Sequence, residues 1–227
     1  MRKFIVIEGL IGVGKTSLCR LLEQEWQARL VLEPAETNPF LEPYYSDPQR
    51  YAFPVQMFYL MVRWRQQSEI RQQDLFSDVV VSDYLFEKDR MFAEKTLPPL
   101  ELNLYDHFAG ALGAQAAKPD LIVFLDAPIE VIMGRIAKRQ APGEDVIEPA
   151  YLLDLWERYQ VLLDEWTSCP VLRIDNRDMD YVGSASDRRT ALTLIQSALD
   201  GQIAPGSSDR EAQPSLFGES GQTPKGT

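Results

Sequence analysis

Lys3-Phe-Ile-Val-Ile-Glu8-Gly9-Leu10-Ile11-Gly12-Val13-Gly14-Lys15-Thr16-Ser17 is the stretch on which the reading of this chain turns. The apolar, β-branched run from Lys3 to Ile7 leads into Gly9-x-x-x-x-Gly14-Lys15-Thr16, and Ser17 to Trp26 follows with the apolar spacing of a helix. A glycine-rich turn between a strand and a helix has a physical use. Glycines let successive backbone N–H groups face inward, and the helix N-terminus adds the positive end of its dipole. Gly9, Gly12, Gly14, Lys15, Thr16 and Ser17 are therefore candidate ligands of ATP, with Lys15 reaching the β- and γ-phosphates and the Thr16 hydroxyl holding Mg²⁺. Many unrelated activities share such a loop, so the acceptor of the phosphate has to be read elsewhere.

Working outward, Leu30 to Leu32, Val79 to Ser82, Leu121 to Leu125 and Val171 to Ile174 read as further strands. They alternate with helical spacing over Pro54 to Gln73, Glu101 to Ala117, Ile129 to Arg139 and Ala150 to Trp166. Alternation of this kind predicts an α/β fold with a five-stranded parallel sheet doubly wound by helices. Leu121-Ile-Val-Phe-Leu125 is apolar on both faces, as a strand covered by helices on both sides must be. Pro54 suits the first turn of its helix, where a missing N–H costs nothing. Residues 1–200 read as one domain, and 201–227, rich in Gly, Ser, Pro and Gln, as a disordered tail.

A net charge of −11 argues against a nucleic-acid polymer as partner, because binding one requires clustered Lys and Arg. No apolar run approaches the ~20 residues that cross a bilayer, so neither membrane anchor nor signal peptide is expected, and the location expected is the cytoplasm. The two cysteines, Cys19 and Cys169, and the lone His107 assemble no zinc ligand set, and the cysteines read as core fillers.

In open α/β sheets ligands bind beyond the carboxyl ends of the strands, where four carboxylates fall: Glu33, Asp83, Asp126 and Asp175. Asp83, after Val79-Val-Val-Ser82, has the place of a carboxylate delivered to Mg²⁺. Asp126, in Asp126-Ala-Pro, reads as a helix N-cap, and Asp175 before Asn176 as a turn former. Glu33, in Leu32-Glu33-Pro34, is either a general base for the acceptor hydroxyl or a solvated loop glutamate. Gln56 and Arg63 stand seven apart, two turns along one helix face, and either enter one pocket or flank the apolar stripe of Phe53, Met57, Leu60 and Trp64.

Together these marks resemble the deoxynucleoside kinase family over roughly residues 1 to 180. The resemblance implies that Glu33, Lys15, Asp83, Arg135 and Arg139 are catalytic, with Glu33 as base on the sugar 5′-hydroxyl. It implies that Gln56 and Arg63 bind the base and that Tyr45 binds the 3′-hydroxyl together with Glu144. Asp89 matches an aspartate that reads an amino-bearing base, which favours a purine deoxynucleoside or deoxycytidine, although a one-residue shift would put Lys88 in its place. Arg135-Ile-Ala-Lys138-Arg139-Gln-Ala-Pro-Gly-Glu144 looks like the family's lid over the phosphates, and is otherwise a solvated basic helix end.

Two positions depart from the family pattern. Tyr84 stands where an arginine is expected, leaving Arg90 and the lid cations as candidates for its duty, and Ala141 stands where relatives often have another arginine. A homodimer is implied as well. The rival readings are a thymidylate-type monophosphate kinase and a non-catalytic nucleotide-binding subunit. In the tail, Gln213-Pro-Ser-Leu216-Phe217 resembles the peptides that dock on a DNA sliding clamp, or is a chance hydrophobic pair in a linker.

Overall fold

β1 (Lys3–Gly9) forms the middle of a parallel sheet, with β2 (Arg29–Val31), β3 (Val79–Ser82), β4 (Leu121–Asp126) and β5 (Val171–Asp175) in the order β2-β3-β1-β4-β5. The computed structural model describes residues 3–33, 38–71, 77–140, 144 and 147–202. Ile5 is in register with Val81 on one side and Leu121 on the other, and Asp126 with Asp175 at the far edge. Ile5, Ile7 and Leu121 to Phe124 are wholly buried, because parallel strands need crossover helices and these cover both faces. Chain order reverses around β1, so the crevice beyond its carboxyl end is where this topology receives a ligand.

The helices are α1 (Lys15–Trp26), α2 (Leu41–Ser46), α3 (Pro48–Arg71), α4 (Lys88–Thr96), α5 (Pro99–Gly113), α6 (Ile129–Arg139), α7 (Pro149–Asp164) and α8 (Ala185–Leu199). The doubly wound α/β sheet agrees with the sequence-based expectation; α2, α4 and α8 go beyond it. Pro54 does not start its helix. Pro48 takes the first turn, and Pro54 lies inside α3, where the Arg50 carbonyl loses its helical donor. Arg50 is exposed near the start of α3, and the helix continues through Pro54.

Asp126 is not a cap either. It ends β4, accepts a hydrogen bond from Trp156 Nε1 at 3.1 Å, and lies two residues ahead of Pro128, which occupies the cap position of α6. Asp175 does form the expected turn, accepting from the Arg177 N–H at 2.9 Å.

The main core encloses the sheet, and a second cluster of Ala52, Leu60, Phe86, Ala93, Leu97 and Tyr105 binds α3, α4 and α5 into a block beside it. Cys19 and Cys169 are buried and unpaired, as core fillers are. Two loop glycines are required by space as well as by conformation. Gly9 has φ 141° and a side chain there would run into the Leu125 carbonyl; at Gly12, with φ 82°, a Cβ would lie 2.7 Å from Ile136. Among the described residues no helix is long and apolar enough to cross a membrane. Gln213, Leu216 and Phe217, with the rest of 203–227, lie outside the described residues, as do Ala141 to Gly143 of the segment expected to form a lid.

Candidate active site

The loop after β1 wraps the head of α1. Lys15 donates through Nζ to the Gly9 carbonyl at 2.8 Å and the Leu10 carbonyl at 2.9 Å, so its ammonium lies against the loop. Burial lowers its pKa, and the neighbouring Lys88 pushes the same way. Thr16 and Ser17 are exposed at the first turn of α1. Beside them a cavity of about 300 Å³ is lined by Gly12 to Ser17, Arg135, Arg139, Asn176 and Tyr181. Arg135 donates to the carbonyls of Val13 (3.1 Å), Asn176 (2.7 Å) and Arg177 (3.1 Å), and Asn176 also donates to Val13. Arg135 thereby ties α6 and the segment after β5 to the phosphate loop.

A second group of side chains gathers at the ends of β2 and β3. Asp83 accepts from the Glu33 backbone N–H at 2.8 Å; burial raises the Asp83 pKa against that hydrogen bond and the charge of Lys88. The Glu33 carboxylate is ion-paired to Arg63, and Lys88 Nζ lies 3.5 Å away. Burial works to raise the Glu33 pKa, but Arg63 and then Lys88 outweigh it and bring it down to about 2. Arg63 also pairs with Asp89, whereas Lys88 faces Glu8 and Glu33. The guanidinium lies 5.2 Å from the Tyr59 ring and 5.6 Å from the Tyr84 ring. Gln56, on the same wall, donates to the Thr96 hydroxyl at 3.1 Å. Two buried atoms of this group, Arg63 Nε and Asp89 Oδ2, have no hydrogen-bond partner among the described residues.

Glu8 escaped the reading from sequence. It is wholly buried at the end of β1 and accepts from Gly9 N–H (3.1 Å), Leu85 N–H (2.6 Å) and the Tyr159 hydroxyl (2.8 Å), with Lys88 Nζ at 3.4 Å. The only signal was a carboxylate inside an otherwise apolar strand, directly ahead of the first loop glycine.

A depressed carboxylate contributes stability above its unfolded pKa and loses it as pH falls through the folded one. For Glu33 that window runs from the ordinary 4.5 down to about 2. Acid unfolding followed by circular dichroism should therefore show wild type and Glu33→Gln converging as pH drops through this window; parallel curves would contradict the assignment.

The remaining candidates lie further out. Tyr45 on α2 is 52% exposed, its ring 5.9 Å from that of Tyr44. Lys138 and Arg139 are exposed at the end of α6, and Arg139 is paired with Glu144. Arg90, which the sequence offered in place of an arginine at 84, instead pairs with Glu94 and Asp106 on the outer side of α4. Mg²⁺ prefers hard oxygen donors, and the Thr16 hydroxyl and Asp83 carboxylate supply them at the phosphate loop and the neighbouring strand end.

The chain is 33% identical over 189 residues to the deoxyguanosine kinase of Bacillus subtilis (strain 168), covering 81% of this chain and 91% of that one. It is 25% identical to the deoxyadenosine/deoxycytidine kinase of the same organism, covering 86% and 92%. In fold it matches the structure of deoxyadenosine kinase from M. mycoides with bound dATP, with a TM-score of 0.72 at 20% identity over 86% of this chain and all of that one. The family model described as deoxynucleoside kinase matches residues 5–200, and the chain belongs to that family of phosphotransferases.

Proposed function

We propose that the protein transfers the γ-phosphoryl group of ATP to the 5′-hydroxyl of a deoxynucleoside with an amino-bearing base, giving the 5′-monophosphate and ADP for nucleotide salvage. Deoxyguanosine, deoxyadenosine and deoxycytidine are the acceptors of this class. The observation that carries the reading is the buried Arg63–Asp89 pair beside Glu33, with Asp89 Oδ2 and Arg63 Nε unpartnered among the described residues. An exocyclic amino group donates to the one and a base acceptor receives from the guanidinium. Thymidine has no exocyclic amino group and would leave Asp89 short of a donor, a loss of about 1–3 kcal/mol. Relatives named as deoxyguanosine kinase and deoxyadenosine/deoxycytidine kinase support the same acceptors.

In the transfer, Glu33 takes the 5′-hydroxyl proton as the oxygen attacks; a new O–P bond forms and the bond to the ADP oxygen breaks. Lys15 leaves the loop carbonyls for the phosphates, and Lys138 and Arg139 close over them, where cations stabilise transition-state charge. Arg135 keeps the loop in shape for this. Tyr45 and Glu144 take the 3′-hydroxyl, Glu144 exchanging Arg139 for the sugar as the lid closes. Mg²⁺, held by Thr16 and Asp83, would supply neutralising charge.

A panel of the four deoxynucleosides and their monophosphates with Mg²⁺ and ATP tests the reading. Turnover on an amino-bearing deoxynucleoside at roughly tenfold or more over thymidine is expected. Turnover on monophosphates alone would mark a monophosphate kinase instead.

The protein acts as a homodimer in this reading. Leu100, Leu104 and Phe108, spaced i, i+4 and i+8 on α5, are 85%, 49% and 46% exposed, an apolar stripe fit to bury against a second copy. Light scattering should give twice the chain mass for wild type and the single mass for Leu104→Glu. A monomeric wild type at micromolar concentration would contradict it.

A further inference from the structure

Lys88 is the first residue of α4 and is 4% exposed, an unusual place for an ammonium. Two carboxylates face it: Glu8 at 3.4 Å and Glu33 at 3.5 Å. Glu8 does not need it for satisfaction, since Gly9 N–H, Leu85 N–H and the Tyr159 hydroxyl already donate there. What Lys88 adds is on the other side. Arg63 pairs with Oε1 of Glu33 and Lys88 lies nearest Oε2, so a long, flexible carboxylate is held at both oxygens.

We propose that Lys88 is a positioning residue for the transfer: anchored on Glu8, its ammonium holds Glu33 in place to accept the acceptor hydroxyl's proton. This rests on the function proposed above. At the end of β3, Tyr84 is wholly buried and contributes a ring beside Arg63. The cation at this strand end comes from Lys88, four residues further along. The two cations on Glu33 have different work. Arg63 also faces the base through Asp89, whereas the ion pairs of Lys88 among the described residues are with Glu8 and Glu33, so the orientation of Glu33 survives when Arg63 turns to substrate. The charged groups around Glu33 are Arg63 from α3, Lys88 from α4, Lys15 from α1 and Asp83 after β3.

The test uses the full chain with Lys88→Met, Lys88→Gln and Lys88→Arg. Methionine matches the volume and leaves Glu8 its three donors, and glutamine retains a neutral donor; the result is read on whichever melts within a few degrees of wild type. The expected loss is about 10²-fold in kcat, the scale on which misplacement of a catalytic group is felt, with KM for the deoxynucleoside within about threefold. Lys88→Arg, which keeps the charge, should recover most of the rate. A kcat within about threefold of wild type, or a loss that Lys88→Arg does not recover, overturns the inference, because a merely structural lysine predicts that result. Wild type silent on every deoxynucleoside overturns the proposed function and this inference together; an active wild type indifferent to Lys88 overturns this inference alone.

Discussion

Glu33→Gln should lower kcat for phosphoryl transfer by about 10²- to 10⁴-fold, the range over which a positioned general base acts. The glutamine keeps the volume and the backbone hydrogen bond from the Glu33 N–H to Asp83, so the end of β2 stays in place. What disappears is a carboxylate ionised throughout the neutral range, with its pKa near 2, at the point where β2 delivers it beside the phosphate loop. Because the amide forms no transition-state bond to the leaving proton, the loss belongs in kcat, with KM for nucleoside and ATP nearly unchanged. Steady-state kinetics on both substrates check this. A kcat within threefold of wild type would remove Glu33 from the base role.

Arg63→Met should bring the largest loss of stability. Arg63 is 4% exposed and Asp89 2%, and the guanidinium is also the closer of the two cations on Glu33. Removing it strands a buried carboxylate, a change that costs about 3–5 kcal/mol. In a domain of this size that lowers the melting temperature by roughly 10 °C. The double variant Arg63→Met with Asp89→Leu removes both charges and should recover much of the stability without recovering turnover. Calorimetry on the three proteins separates the two effects. A double variant no more stable than Arg63→Met would show that the pair is not the source of the loss.

Much of this was legible before the structure. The sheet was, because strands covered by helices on both faces are apolar at every position, and few other elements look like Leu121 to Leu125. The loop at Gly9 to Thr16 was, because its spacing follows from the approach of backbone to phosphate. Long-range pairing was harder to see. Glu8 looks like an exception inside an apolar strand, and only the fold brings Leu85 and Tyr159 to it from 77 and 151 residues away. Lys88, inside Glu87-Lys88-Asp89-Arg90, has the local look of a solvated run, yet Lys88 and Asp89 face inward while Glu87 and Arg90 are exposed.

Local chemistry also misdirected in places. Asp126-Ala-Pro has the order of a cap but starts two residues early, and Pro54 is tolerated inside α3. α8 carried a usable signal that went unread: the Ser184 hydroxyl accepts from the Asp187 N–H at 3.2 Å, and Ala191, Ile195 and Ala198 follow at helical spacing.

The most direct test of the account follows the phosphoryl group itself. ATP labelled at the γ-phosphate, Mg²⁺ and deoxyguanosine would be incubated with the protein and the products resolved by phosphorus NMR and mass spectrometry. The label should appear on the 5′-oxygen of the deoxynucleoside, in step with ADP, and should fail to appear with Glu33→Gln. Label released as inorganic phosphate, or carried only by added monophosphate to make a diphosphate, would contradict the assignment of Glu33, Arg63 and Asp89 to a nucleoside acceptor.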